Sequence, residues 1–322
     1  MKKILSLALA VLMLASLLSL VSCGEKAAKL GLGVVATVSH TDATEEKDGS
    51  VKTAATAAAV LLSADGKIVS CDIDTLEAAL GMTADGTAIA GKSFATKRDK
   101  GDSYNMVAYG GAKYEWYVQV DKLEELLIGK TPDEAKALVL GTGFGSDEVT
   151  AAGCTIGIDD MIKAVLKACE NAKELGSFEG DALAVAITCE NSDSTKDATE
   201  EKNGVLQAEF TFAAVTTKDG KVTAAVTDAM NAKSNFTLAG EYVEGAAPQT
   251  KGELKEGYGM AAYANTTEYY LQAAEFDKAC AGKTAAEISG MENGTDALEA
   301  AGCTIAVSPL VEAVVKAIEA AK

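Results

Sequence analysis

Histidine is almost missing: the 322 residues contain one, His40. A single imidazole leaves a Ser or Cys nucleophile without its usual base, and with no Cys-x-x-Cys pair a zinc site lacks ligands. Basic residues are scarce too, with 29 Lys and Arg against 47 Asp and Glu and a net charge of −18. Such a balance excludes a nucleic-acid partner and a polybasic membrane surface, both of which need clustered cations. Aromatics make up only 5% of the chain, so the core is light and rich in alanine. Hydrophobic residues still reach 48%, which excludes disorder for the whole chain. At roughly 150 residues per domain the length predicts about two domains.

The amino terminus has a different character. Met1-Lys2-Lys3 is followed by an apolar run from Ile4 to Leu20 and then by Val21-Ser22-Cys23. A basic start, an apolar stretch and a small-residue exit make up a secretory signal. The Leu-Val-Ser-Cys ending resembles the lipobox of bacterial lipoproteins. That resemblance implies a signal peptide over 1–22, lipid on Cys23, and a chain held on the extracytoplasmic face of a bacterial cell membrane. The other reading is an uncleaved membrane anchor at the short limit for spanning. Export permits disulfides, but the pairing of Cys71, Cys154, Cys169, Cys189, Cys280 and Cys303 is not readable, and small buried thiols account for them equally.

Self-comparison organises the rest. Asp42–Gly49 recurs as Asp197–Gly204, with Asp48 against Asn203 the one difference. Asp65-Gly66-Lys67 recurs as Asp219-Gly220-Lys221, and Tyr104-x-Met106 as Tyr258-x-Met260. Trp116-Tyr117-Val118-Gln119 matches Tyr269-Tyr270-Leu271-Gln272, and Gly129-Lys130-Thr131 matches Gly282-Lys283-Thr284. Ala151–Ile156 and Ala300–Ile305 are identical. The expected architecture is two tandem copies of one α+β domain, 31–173 and 181–322, after a lipidated tether at 23–30 and joined by a linker at 174–180. Within each copy, Asp-Gly predicts a β-hairpin. Tyr114, Tyr117, Val120, Leu123, Leu126 and Leu127 are spaced as on a helix. Thr131-Pro132-x-Glu134 reads as a helix start. Met161–Ala172 and Leu310–Ala321 read as closing amphipathic helices. An antiparallel sheet packed with helices follows.

Several motifs reduce to structure. Gly129-Lys130-Thr131 lacks the upstream glycine of a phosphate loop. Gly141-Thr142-Gly143-Phe144-Gly145 is not a dinucleotide fingerprint and reads as a loop. His40 has no counterpart in the second copy. The acidic runs Glu45-Glu46 and Glu200-Glu201 read as solvated loops, because no EF-hand spacing is present. What survives is Gly153-Cys154-Thr155 and Gly302-Cys303-Thr304, each placing a hydroxyl shortly before a helix. There it serves either as a cap or beside an anion.

Taken together, the lipobox, the Asp-Gly-Lys hairpin, Tyr-x-Met, the aromatic helix with its Gln, and the Thr-Ile motif resemble the FMN-binding-domain lipoproteins of Gram-positive bacteria. The resemblance implies FMN esterified through its phosphate to Thr155 and Thr304. Gly153, Cys154, Gly302 and Cys303 would form the motifs, with Asp147 and Asp296 as upstream acids and no metal ligand. Ala152 and Ala301 stand where that family has Ser or Thr, and the cysteines stand where it has Ala. The resemblance also implies a flavin transferase and a membrane dehydrogenase as partners, and an electron carrier rather than a catalyst. The alternative is a cofactor-free tandem-domain lipoprotein that binds a ligand or protein at the envelope.

Overall fold

The run Ala55–Leu62 is apolar everywhere except Thr56, and the architecture shows why. In the computed structural model, which describes residues 25–92, 94–264 and 266–321, this run lies in a strand covered on both faces. The expected signal peptide at 1–22 and the expected lipid site Cys23 lie outside the described residues. The first half builds β1 (Lys29–Thr41), β2 (Gly49–Leu62), β3 (Ile68–Met82) and the short β4 (Ala88–Ile89). They pair antiparallel in the order β1-β2-β3-β4. The second half builds β5 (Ala182–Asn191), β6 (Gly204–Lys218), β7 (Lys221–Phe236) and β8 (Tyr242–Val243), again paired in sequence order. The protein is thus mixed α+β with two four-stranded antiparallel sheets. Asp219 and Gly220 both adopt positive φ, of 51° and 74°, the requirement of the tight turn that Asp-Gly favours.

Helices follow each sheet in the same succession. The first half has α1 (Lys97–Lys100), α2 (Met106–Gly110), α3 (Trp116–Leu127), α4 (Pro132–Lys136), α5 (Asp147–Ala152) and α6 (Asp159–Asn171). The second has α7 (Lys251–Leu254), α8 (Met260–Ala264), α9 (Tyr269–Cys280), α10 (Ala285–Ser289), α11 (Asp296–Ala301) and α12 (Ser308–Ala320). Thr131 caps α4 with a full capping box closed by Glu134, and Thr284 does the same for α10 with Glu287. Among the described residues no helix is long and apolar enough to cross a membrane.

Strand alternation sorts the core into layers. Ala58, Val60 and Ile73 face α3 and α6, while Ala55, Ala57, Ala59 and Leu61 face the other sheet. Across that seam stand Leu183, Val185, Ile187, Phe210 and Phe212, and the second sheet turns Ala213 and Val215 toward α12. The order of layers is helices, sheet, sheet, helices. Small alanines opposite Phe210 and Phe212 let the two sheets interdigitate. Two close approaches need glycine: a Cβ on Gly31 would lie 1.9 Å from the Ala168 carbonyl oxygen of α6, and one on Gly33 2.1 Å from that of Ala164.

Reciprocal bonds lock the halves. The Asp42 carboxylate accepts from Tyr242 N–H (2.8 Å) and that of Asp197 from Ala88 N–H (2.7 Å). The Ala43 and Ala198 amides donate to the Gly240 and Gly86 carbonyls. The repeated Asp-Ala at the start of each acidic motif is therefore a clasp on the opposite half. His40, exposed, stacks on Tyr242 of the second half at 4.1 Å. The segment 174–180 is held as well. Ser177 is buried, its carbonyl accepts from Ala28 N–H, and Glu179 N–H donates to the Lys26 carbonyl. The stretch expected as a tether at 23–30 is, from Lys26 onward, stitched into this seam.

Candidate functional site

Thr155 follows Gly153, which ends α5 with a left-handed φ of 104°. That turn sends Cys154 inward, where it is 1% exposed, and brings Thr155 out to solvent. Gly302, with φ 93°, repeats the device for buried Cys303 and exposed Thr304. Cys154 and Cys303 are therefore core residues rather than walls of a site, and burial pushes both thiols up. All six described cysteines are unpaired. Asp147 is exposed as the first residue of α5, where a negative charge suits the helix dipole. Asp296 opens α11; its side chain lies outside the described residues.

Each threonine is gripped by a glutamine. Gln119 on α3 accepts at Oε1 from Thr155 N–H (2.9 Å) and from its hydroxyl (3.1 Å), while its Nε2 donates to the Tyr114 carbonyl (2.9 Å). Gln272 on α9 holds Thr304 N–H (2.8 Å) and hydroxyl (2.9 Å) and donates to the Thr267 carbonyl. One turn earlier, Glu115 accepts from the Met106 and Val107 amides, and Glu268 from those of Met260 and Ala261. These carboxylates cap α2 and α8, which explains why the Tyr-x-Met and aromatic-Gln motifs travel together.

Beside each threonine loop the sheet opens into a cavity. In the first half it measures about 360 Å³ and is lined by Thr56, Thr75, Glu77, Lys97, Gly157 and Met161. In the second it measures about 250 Å³ and is lined by Thr211, Ala229, Asn231, Lys251, Ala306 and Leu310. Thr96 and Thr250 open the turns that carry the lysines. Those turns are anchored by Asp74 and Asp228, which accept from the Arg98 and Gly252 amides. Burial raises both carboxyls to about 6, against the threonine hydrogen bonds that favour their charge.

The two cavities differ in charge. Lys97 Nζ lies 5.2 Å from the Tyr104 ring centre, 5.5 Å from that of Trp116 and 3.3 Å from the Glu77 carboxylate. Asp159 and Asp160 complete an acidic rim. Lys251 Nζ likewise lies over Tyr258 (5.2 Å) and Tyr269 (4.8 Å), but Asn231 replaces the glutamate and no carboxylate pairs with it among the described residues. Glu190 and Glu209 line the far wall. No group of His, Cys, Asp and Glu among the described residues is placed to hold a metal ion.

Beneath the sites sit partly buried acids that sequence reasoning passed over. Arg98 bonds Asp121 (2.6 Å), Glu124 (2.5 Å) and the Ile73 carbonyl (2.8 Å). The second half has Gly252 at the matching place and the shorter Asp277, which accepts from Thr227 N–H (3.1 Å) and hydroxyl (2.7 Å). Burial pushes Asp277 up to about 8, from 3.8 when free. Its folded value is the higher one, so the fold is stabilised below pH about 4 relative to alkaline pH, and that stability drains away as pH rises through about 8. We predict that Asp277→Asn flattens this loss and raises stability at pH 9 by on the order of 3 kcal/mol. Urea unfolding at pH 4 and pH 9 measures it, and an unchanged pH slope would refute the assignment. Glu124 and Asp277 occupy matched positions of the two halves, which was the signal available for finding them, whereas Asp121 is matched by Ala274. Comparison with protein-family models, with curated proteins and with solved structures found no match to this chain.

Proposed function

We propose that this chain is a lipid-anchored envelope protein made of two copies of one domain, each holding a small ligand in the cavity beside its threonine. Common origin is supported by the repeated motifs, the same order of strands and helices, and the reciprocal clasps. The carrying observation is the pair of cavities at matched places, each framed by a lysine on two aromatic rings and by the loop that follows the Thr-Ile motif.

Two occupants are compared. The first is FMN esterified to Thr155 and Thr304, with a flavin transferase to attach it and a membrane dehydrogenase to reduce it. Bound flavin would supply reversible electron transfer, and the protein would relay electrons on the outer side of the membrane. Exposed hydroxyls support this reading. The surroundings fit it poorly. Each hydroxyl hydrogen is committed to a glutamine, and carboxylates border both cavities where a phosphoryl charge would need cations. The second occupant is a small ligand held without a covalent bond, in a protein that binds rather than catalyses. The geometry favours the second.

Co-expression with a flavin transferase separates them. We expect colourless protein and unmodified masses for the peptides containing Thr155 and Thr304. A flavin mass on either peptide, lost in the Thr155→Ala plus Thr304→Ala double variant, would restore the electron-relay reading.

A further inference from the structure

Resting on the reading of the second half as a ligand-holding domain, we propose that its cavity binds an apolar α-amino acid as the zwitterion. Lys251 takes the carboxylate, Glu190 and Glu209 take the ammonium group, and the apolar wall takes the side chain.

The groups are placed for this division. Glu190, Glu209 and Asn231 stand in one row across β5, β6 and β7, directly opposed in the register. Neighbours so opposed have Cβ atoms about 5 Å apart. The two acids thus form one pole and Lys251, at the Asn231 end, the other. Glu209 accepts from Ser192 Oγ and Gln207 Nε2 (3.3 Å), and both donors are neutral, so its charge is solvated but not cancelled. Lys251 has aromatic faces against it and no carboxylate partner among the described residues.

The rings that hold Lys251 are those of Tyr258 and Tyr269, and Tyr269 lines the cavity with its ring while its hydroxyl is sealed from solvent and out of a ligand's reach. Met260, Ile305 and Leu310 form the apolar wall. At about 250 Å³ the space lies just under the roughly 300–1,000 Å³ of clefts for drug-sized ligands, which suits a single amino acid. In the first half Glu77 already occupies the lysine. The first cavity is closed to the same ligand.

The probe is L-phenylalanine, titrated calorimetrically into the flavin-free full chain. One equivalent is expected to bind. Phenethylamine, which lacks the carboxylate, and 3-phenylpropionate, which lacks the ammonium group, should each bind about tenfold more weakly or worse, because a charged hydrogen bond is lost. Lys251→Met should erase the advantage of phenylalanine over phenethylamine. Asn231→Glu, which copies the first-half ion pair, should abolish binding. No binding up to about 10 mM, two equivalents bound, or either truncated analogue matching phenylalanine would overturn the proposal. A flavin attached at Thr304 would be seen in the mass spectrum instead, so the two readings fail separately.

Discussion

Expressed alone, residues 25–180 should not persist as a soluble monomer. The inner face of this half presents Leu30, Leu32, Val34, Leu61, Leu76 and Leu80 to the opposite sheet. Each fully buried aliphatic side chain contributes about 1.5–3 kcal/mol. Six of them rival the roughly 5–15 kcal/mol that stabilises an entire domain. Removing the second half would also leave the edges of the clasp unpaired, with the Ala43 amide and the Asp42 carboxylate lacking their partners on the other half. We expect inclusion bodies, or a dimer in which a second copy covers the exposed sheet. Sedimentation velocity with thermal unfolding decides the matter: a monomer that melts cooperatively would show that the shared core is dispensable. For the same reason a cut within 174–180 should leave the two pieces associated.

The second large effect is expected at Arg98. Its guanidinium is 21% exposed and surrounded by Asp72, Asp121 and Glu124. Burial opposes its charge, but the Glu124 and Asp72 carboxylates outweigh that and hold it protonated. Arg98→Met keeps much of the packing and strands the acids. Breaking a buried pair in this way costs about 3–5 kcal/mol at neutral pH. The sign with pH follows from Glu124, whose carboxyl is already raised by burial and would rise further without the arginine. Protonation removes the stranded charge, so the defect should shrink toward pH 4 and grow toward pH 8. Denaturant midpoints of wild type and variant at both pH values test this. Equal losses at the two would mean that Arg98 acts through packing alone.

Much of the architecture was legible because the chain presents it twice. The Asp-Gly hairpins, the Thr131 cap and the closing helix at 159–171 are local features, and local rules place them. The run at Ala55–Leu62, broken only by Thr56, read as one strand of a hairpin. It did not say that the strand is covered on both faces or that one cover is the other half of the molecule, because a residue pattern does not identify the neighbour. The Glu45-Glu46 and Glu200-Glu201 runs read as solvated loops, and the role of the neighbouring Asp42 and Asp197 stayed hidden because their partners, Tyr242 and Ala88, lie in the opposite half. Cys154 was assigned to the site as part of the motif that the family resemblance implies, yet the left-handed turn at Gly153 leaves Cys154 buried and Thr155 exposed, a reversal that residue spacing does not encode. Lys251 and Tyr269 became visible as a pair only when the sheet, α7 and α9 were brought together.

The stitched amino terminus sets the stance of the protein. On the proposed lipid anchor, three peptide steps separate Cys23 from Lys26, whose backbone is tied into the seam. Even fully stretched that leash reaches only about 10 Å. Such a body stands flush with the lipid headgroups and cannot sweep through the wall, so anything entering or leaving its cavities is traded within a molecular diameter of the bilayer.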